Sequence, residues 1–321
     1  MIVIGSPAPM NYLKMAKLAL MMAALFVAQS LFAANLDKEL RQAALIGDID
    51  LVQELLAAGA NPNSATKFGK SALMFAIEEG NDEVASFLIS KGANVSAKSV
   101  AGCTPLTFAA EGGFSDIAKL LMDKGAVTTT KTRAGWDALM IASRYGHSEI
   151  VKLLTDNGAN INTSDKEGMT ALMAAADKGH YDVVDILLNA KADLHIRDRH
   201  NASALMIAAG HGHMPIIKLL IKHGANVNAQ SDDGTTALFW ACEKGHVNTA
   251  EILINNKADI NHQDLDGMTA LMTAVVAGQD KVVMFLIKNN ADKALKDSSG
   301  ATALDYARTT KQERLIATLE Q

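Results

Sequence analysis

Methionine is the residue whose placement first suggests chemistry in this chain. Five of its fifteen methionines are separated by 33 residues or by twice that interval, and the hexapeptide GMTALM occurs at both 168–173 and 267–272. Thioether sulfur is a soft ligand that favours Cu(I), and it is also readily oxidised. These five regularly spaced methionines, called the methionine row below, therefore raise two hypotheses. They could form a site for a metal or an oxidant, or they could be an apolar packing element. The five are Met74, Met140, Met173, Met206 and Met272.

Histidine follows the same interval. A metal ion holds its ligands within about 2–2.5 Å, whereas equivalent positions in stacked helical layers lie about 8–10 Å apart. Neighbouring positions therefore cannot share one ion, and we expect the methionines to pack in the core. The four histidines, each directly after a glycine, are His147, His180, His213 and His246.

Other catalytic or metal-binding patterns are missing from the sequence. It contains no G-x-S-x-G, phosphate-binding loop, HExxH or C-x-x-C. The carboxylates at Asp232–Asp233 and Asp264–Asp266 offer fewer oxygens than the six to eight or so that Ca²⁺ takes. Cys103 and Cys242 are 139 positions apart, too far for a disulfide if they occupy separate layers. We therefore predict no enzyme activity, no cofactor and no metal.

The elements that hold these residues are marked by three glycine series with a period of 33. The first is Gly69, Gly102, Gly135, Gly168, Gly234, Gly267 and Gly300, with Asn201 in the remaining place. The second is Gly47, Gly80, Gly113, Gly146, Gly179, Gly212, Gly245 and Gly278. The third is Gly59, Gly92, Gly125, Gly158 and Gly224, with Lys191, Lys257 and Asn290 in the other places. An uninterrupted period of this length predicts a repeat architecture.

Each repeat reads as two short helices. In residues 168–197, Thr170 stands where a helix N-cap belongs, ahead of a first helix over 171–178. Gly179 then ends that helix, and the apolar residues of 181–190 recur at helical spacing. Two helices of this length cannot bury their apolar sides alone, so neighbouring repeats must stack to form the core.

This pattern resembles the ankyrin repeat. The segments GCTPLTFAAEGG (102–113), GHSEIVKLLTDNGANIN (146–162) and GANVN (224–228) carry the resemblance. It implies an all-α solenoid of stacked 33-residue helix-turn-helix repeats joined by extended hairpin loops. It also implies that the histidine after each loop glycine tethers the loop. The sequence departs from the pattern in two ways, with alanine in most of the proline positions and methionine in most of the histidine positions of the first helix. The methionines remove the polar side chain expected at the start of that helix, and we expect this loss to loosen the hydrogen bonds that tie one turn to the next.

We expect nine repeats and a leader. Residues 34–66 form an N-terminal capping repeat, residues 67–297 seven internal repeats and residues 298–321 a C-terminal capping repeat. In residues 1–33, Lys14 and Lys17 precede an apolar run over 18–27, as in a secretory signal peptide. Cleavage is expected after Ala33, an uncleaved anchor being the alternative, and Met10 is an alternative start. The protein is then periplasmic, in a Gram-negative bacterium, or secreted.

The resemblance implies that the protein binds a protein partner through a concave groove and its hairpin tips. The net charge of −5 is made of interspersed signs, which argues against nucleic acid as the ligand. We expect a non-enzymatic, monomeric scaffold that has no membrane contact once the leader is removed. The alternatives are a secreted effector that binds host proteins and a methionine-based metal or oxidative-stress protein.

The partner-binding residues are predicted from the positions that vary between repeats. Trp136 is central, because Trp, Tyr and Arg dominate interface hot spots; its alternative role is packing against Phe68 or a neighbouring loop. Trp240, by contrast, is expected in the core. The tips change from basic to acidic along the chain, which suits a partner that carries both charges. The predicted set is Lys67, Phe68, Lys70, Arg133, Trp136, Arg144, Tyr145, Lys166, Glu167, Met169, Lys178, Arg199, His200, His211 and Met268.

Overall fold

The computed structural model describes residues 12–320, which form eighteen α-helices. They fall into two compact units that divide between Val100 and Ala101, and each is described by itself. The first unit holds α1 (Tyr12–Ile46), α2 (Ile49–Ala57), α3 (Ala72–Glu78) and α4 (Asp82–Ser90). The second holds α5 (Pro105–Gly112), α6 (Ser115–Asp123), α7 (Ala138–Tyr145), α8 (Ser148–Asp156), α9 (Ala171–Lys178), α10 (Tyr181–Asn189), α11 (Ala204–His211), α12 (Met214–Lys222), α13 (Ala237–Glu243), α14 (Val247–Asn255), α15 (Ala270–Val276), α16 (Asp280–Lys288), α17 (Ala303–Thr309) and α18 (Glu313–Glu320).

The repeat at 168–197 has the helix boundaries that the sequence predicts. The Thr170 hydroxyl accepts a hydrogen bond from the Met173 backbone N–H at 3.3 Å, and α9 begins at the next residue, Ala171. Gly179 ends the helix at φ 78°, in the left-handed region. The same side-chain N-cap forms at the other first helices from α3 to α17, except at α13, where Thr236 makes no such hydrogen bond. Short helices therefore form at fixed positions along the chain.

Two methionines of the row supply a hydrogen-bond acceptor at the helix start, where the sequence predicts the loss of a polar side chain. In α11 and α15 the methionine sulfur itself accepts a backbone N–H, from Ser203 to Met206 Sδ and from Thr269 to Met272 Sδ, both at 3.4 Å. The cap hydroxyl in turn accepts the methionine N–H. All five side chains of the row are at most 1% exposed, so the prediction of core packing is confirmed.

The core of the second unit is built layer by layer. Each first helix packs against the first helices of the repeats before and after it, as α9 does against α7 and α11. The second helices form a parallel row, in which α10 packs against α8 and α12. Leu154 and Leu187 are fully buried between the two rows. Each repeat therefore obtains its stability largely from its neighbours.

The histidines after the loop glycines join successive repeats, as predicted. His180 Nε2 lies 2.9 Å from the carbonyl oxygen of Arg144, and His147 Nε2 lies 2.9 Å from that of Glu111. A carbonyl can only accept, so Nε2 carries the proton. His213 and His246 make the same bond 36 residues back. Gln279 reproduces it with an amide, donating to the Glu243 carbonyl at 2.9 Å.

The hairpin tips are also joined through the backbone. The Arg133 N–H donates to the Ala101 carbonyl at 2.8 Å, and the Arg199 N–H donates to the Glu167 carbonyl at 2.8 Å. The Leu265 N–H donates to the Asp233 carbonyl at 3.0 Å. Successive tips of the second unit therefore have a defined spacing and orientation. The surface that the tips and the exposed sides of the first helices form in this unit is called the inner face below.

Trp240 corrects one prediction. Its indole is half-buried rather than part of the core, and its Nε1 donates to the Thr235 hydroxyl at 3.1 Å. The ring lies over Gly210 of the preceding repeat, where a Cβ atom would come within 3.1 Å of it. The equivalent side chains Ile141 and Ile207 are buried because they are too short to extend over the neighbouring helix in this way.

The N-terminal prediction falls partly outside the described residues. Residues 1–11, which include the alternative start Met10, are not described. Helix α1 passes through Ala33 without a break. Among its described side chains, Leu20 and Phe32 are exposed, and burial begins at Leu36. Residues 12–320 contain no helix whose length and hydropathy would let it cross a membrane.

Candidate functional site

The inner face carries a depression of about 390 Å³ around Trp136. Its walls come from two consecutive repeats and are mainly apolar, with charged groups at the rim. The lining residues are Ala101, Cys103, Glu111, Thr132, Arg133, Ala134, Trp136, Ile141, Arg144 and Tyr145. Four residues of the predicted partner-binding set are therefore brought together in one place. We call this depression the Trp136 pocket.

Trp136 is held by the next repeat. Its indole Nε1 donates to Asp165 Oδ2 at 2.8 Å. The other oxygen of that carboxylate accepts the backbone N–H groups of Glu167 and Met169 at 2.8 and 2.9 Å, which closes the hairpin tip. The indole is half-buried, so packing against a neighbouring loop accounts for part of its contacts. The rest of the ring faces the pocket in a fixed orientation.

Arg144 and Tyr145 follow each other at the end of α7. The Arg144 guanidinium lies over the Trp136 ring, with Cζ 5.1 Å from the ring centroid, a cation–π arrangement. The Tyr145 hydroxyl donates to Glu111 Oε1 at 3.2 Å, while its ring stacks on that of His147 with centroids 6.3 Å apart. Tyr145 remains 48% exposed. These contacts order both side chains without covering them.

A carboxylate of the next repeat, that of Asp177, is paired with two residues of the predicted set. Lys178 Nζ and His211 Nε2 each lie 2.9 Å from an oxygen of Asp177. Partial burial alone would raise the pKa of the Asp177 carboxyl, but the hydrogen bond from Lys178 and the attraction of nearby cations, Arg144 among them, lower it. Asp177 is therefore a carboxylate at neutral pH and is already paired.

The tips beyond the pocket are polar and exposed. Arg199 forms an ion pair with Glu167, and its Nε lies 3.1 Å from His200 Nε2. Lys166 is exposed at the same tip as Glu167. Met169 and Met268, directly after the turn glycines, are half-buried, and each has its N–H fixed by the loop carboxylate of its own repeat.

The inner face ends in an acidic stretch. Asp232 and Asp266 are exposed at successive tips. Partial burial raises the pKa of Asp264 above its ordinary value, and the neighbouring carboxylates of Asp266 and Asp233 raise it further. Hydrogen bonds from Ser231 and Thr235 outweigh the effect of burial on Asp233 itself, whose pKa is lowered. Negative charge is thus concentrated at these tips.

Three predicted residues lie in the first unit, so the structure does not bring them to the Trp136 pocket. Phe68 is 60% exposed, and Lys67 Nζ lies 5.0 Å from the centroid of its ring. Lys70 forms an ion pair with Glu78 and lies over the ring of Phe75 at 4.8 Å. These contacts form a second small aromatic and basic patch in the repeat that holds α3.

Depressions between the second helices have a different origin. One of about 530 Å³ lies between α12 and α14, and another of about 390 Å³ lies between α8 and α10. Six lining positions of the two depressions coincide at an offset of 66 residues, as Lys218 and Lys152 illustrate. A depression that recurs at the repeat interval results from the stacking of the helices. The Trp136 pocket, by contrast, depends on side chains of one repeat and its neighbours.

The described residues contain no group of three or more His, Cys, Asp or Glu side chains that could hold a metal ion. The two cysteines are not joined in a disulfide. Cys242 is buried, and burial raises the pKa of its thiol to about 12, so it is a packing residue rather than a nucleophile. Cys103 contributes to the wall of the Trp136 pocket.

Sequence reasoning missed the two carboxylates that shape the pocket. Asp165 was not among the predicted residues, although a signal for it exists: every hairpin has Thr, Ser or Asp three residues before its turn position, from Thr66 to Asp297. Such side chains accept N–H groups of their own turn. Glu111 occupies a position that varies between repeats, and nothing in the sequence pairs it with Tyr145, 34 residues later.

Comparison with known families agrees with this geometry. A family described as "Ankyrin repeats (3 copies)" matches residues 40–132, 125–198 and 192–264, and one described as "Ankyrin repeats (many copies)" matches residues 253–307. The chain belongs to the ankyrin repeat family. The expected all-α solenoid of ankyrin repeats is thereby confirmed. A comparison with curated proteins finds no match.

Ankyrin repeats are in general protein–protein interaction modules that form a non-catalytic scaffold. The ankyrin repeats of the second unit present their variable side chains on the inner face, and the Trp136 pocket lies on that face.

Proposed function

We propose that this protein is a non-enzymatic scaffold that binds a protein partner on its inner face, with the Trp136 pocket as the centre of the interface. The observation that carries the proposal is the orientation of Trp136, whose indole is fixed by Asp165 and stacked under Arg144 while one side faces an open apolar depression. Pre-ordered aromatic and arginine side chains lose little conformational freedom on binding, which favours affinity.

Replacing Trp136 with alanine is expected to reduce partner binding by at least about 30-fold, since a hot-spot truncation costs about 2 kcal/mol or more. The measurement is quantitative cross-linking capture from an extract of the source cells, with purified wild-type and variant proteins as bait. Circular dichroism of each bait checks that its helix content is unchanged.

Tyr181→Ala is the matched control, because Tyr181 is an aromatic residue that is 44% exposed on a second helix, α10, away from the inner face. The proposal predicts that this variant captures the same proteins as the wild type. If the Trp136 variant also retains all proteins that the wild type captures, the pocket is not the interface.

We further propose that the protein is exported and acts in the periplasm or outside the cell. The supporting features are Lys14 and Lys17 ahead of the apolar run over 18–27, with small residues at 33 and 34. The intact mass of the protein purified from its source is expected to lack residues 1–33. A mass that includes the whole apolar run would contradict cleavage.

A further inference from the structure

We infer that the partner segment in the Trp136 pocket is an extended peptide that carries both charges: it inserts one apolar side chain, places a carboxylate beside it against Arg133 and Arg144, and continues toward the acidic tips with basic residues. This inference rests on the proposed function, since it specifies the chemistry of the polypeptide that the inner face binds.

The size and walls of the pocket call for an apolar side chain. Its volume of about 390 Å³ is at the low end of the range of about 300–1,000 Å³ seen for ligand sites, so it holds one or two side chains. The indole of Trp136 and the side chains of Ile141 and Tyr145 are among the groups that line it. Burial of an aliphatic or aromatic group against these walls gives the association its hydrophobic component.

The charge at the rim is positive, and neither of its two arginines is held in a direct ion pair within the described residues. Among the described residues, neither Arg133 nor Arg144 has a carboxylate oxygen within 4.0 Å, whereas Arg199 and Lys178 on the same face are paired with Glu167 and Asp177. Glu111, the one acid of the pocket, already accepts the Tyr145 hydroxyl. A guanidinium held against an aromatic ring is pre-ordered for a carboxylate of a partner.

The backbone of the tips indicates that side chains carry the recognition. The N–H groups of Arg133, Lys166 and Arg199 already donate to carbonyls of the preceding tips. They are therefore not available to pair with a partner strand, as they would be at an open sheet edge. An extended peptide on this face is selected by its side chains instead.

The acidic tips define the other end of the peptide. The tip that carries Asp232 and Asp233 lies three repeats beyond that of Arg133, which corresponds to about 24–30 Å at 8–10 Å for each helical layer. An extended chain covers that distance in about eight or nine residues. Exposed carboxylates at Asp232 and Asp266 attract lysine or arginine there and repel the phosphates of a nucleic acid.

The test is a selection from a random linear peptide library displayed on phage, with peptides of about twelve residues, long enough to span both charge clusters. Three baits are used in parallel: the wild type, the double variant Arg133→Glu/Arg144→Glu, and Lys152→Glu as a charge-reversal control on α8, where Lys152 is exposed beside Asp156. Enriched peptides are then synthesised and their dissociation constants measured with each bait and with Trp136→Ala.

The expected result is enrichment, on the wild type and on Lys152→Glu, of peptides with Asp or Glu beside an apolar residue and Lys or Arg toward the other end. The double variant should bind these peptides about tenfold more weakly, because each exposed ion pair contributes a few-fold and independent effects multiply. Selection with the double variant as bait should instead enrich peptides that have Lys or Arg beside the apolar residue.

Two different failures are distinguishable. Peptides that require Trp136 but show no acidic enrichment, or that bind the double variant as tightly as the wild type, would overturn the inference while leaving the proposed interface intact. If selection yields no peptide whose binding depends on Trp136, both the inference and the choice of the inner face as a peptide-binding surface are contradicted.

Discussion

The Met173→Ala variant is expected to lose about 2–5 kcal/mol of unfolding free energy, the usual cost of removing a large side chain from a packed core. Met173 is 1% exposed, in a helix whose residues from Ala171 to Ala176 are all buried. A Met173→Leu variant keeps the volume and should lose less than about 1.5 kcal/mol. Urea denaturation followed by circular dichroism measures both changes.

Met284 provides the matched control, because it is 39% exposed on α16. Its replacement with alanine should change stability by no more than about 0.5 kcal/mol. The same proteins test the alternative role of the methionine row. Stoichiometric binding of Cu(I) that Met173→Leu and Met206→Leu abolish would contradict a purely structural role, whatever the effect of these variants on stability.

A second large effect is expected at a turn glycine. Gly168 has φ +80°, and a Cβ atom on it would lie 2.8 Å from Asp198 Cα, a backbone atom of the next tip. Alanine there carries the cost of the left-handed conformation, roughly 1–2 kcal/mol, and forces the neighbouring tip to move, which adds about 1–3 kcal/mol. Gly168→Ala should therefore destabilise the protein by about 2–5 kcal/mol in urea denaturation.

Gly158→Ala separates the two costs. Gly158 has a similar φ of +76°, but nothing lies within 4 Å of the added Cβ. The equivalent positions in other repeats hold Lys191, Lys257 and Asn290 at positive φ. Gly158→Ala should therefore lose only the roughly 1–2 kcal/mol of unfolding free energy that the left-handed conformation costs. Equal destabilisation by the two substitutions would show that contact between the tips contributes nothing at Gly168.

Much of the repeat could be predicted because its determinants are local. Thr170 and Gly179 fix the two ends of α9 through hydrogen bonds and backbone angles within a few residues of themselves. The tether role of His180 could also be anticipated, because its position after the loop glycine recurs at the repeat interval. Residues that recur at the repeat interval can be recognised in a single sequence, because the same residue type appears at the same position of several repeats.

The pocket could be predicted only in part, because its details come from side chains that do not recur. Trp136, Arg144 and Tyr145 were identified by residue type and position, but the hydrogen bond from Trp136 to Asp165 joins residues 29 positions apart in a single instance. The partial exposure of Trp240 has the same cause, since it depends on Gly210 in the preceding repeat. Pairings that occur once leave no pattern in the sequence.

The tethers between repeats have a consequence for how the length of this protein can change. In the described part of the second unit they join nearest neighbours, as His180 to Arg144 over 36 positions and Gln312 to Val275 over 37 positions. If residues 180–212 were lost by recombination, His213 would take the place of His180 beside the Arg144 carbonyl. Whole repeats can thus be lost or duplicated with little disturbance of the fold, so the extent of the binding surface can evolve separately from the packing that supports it.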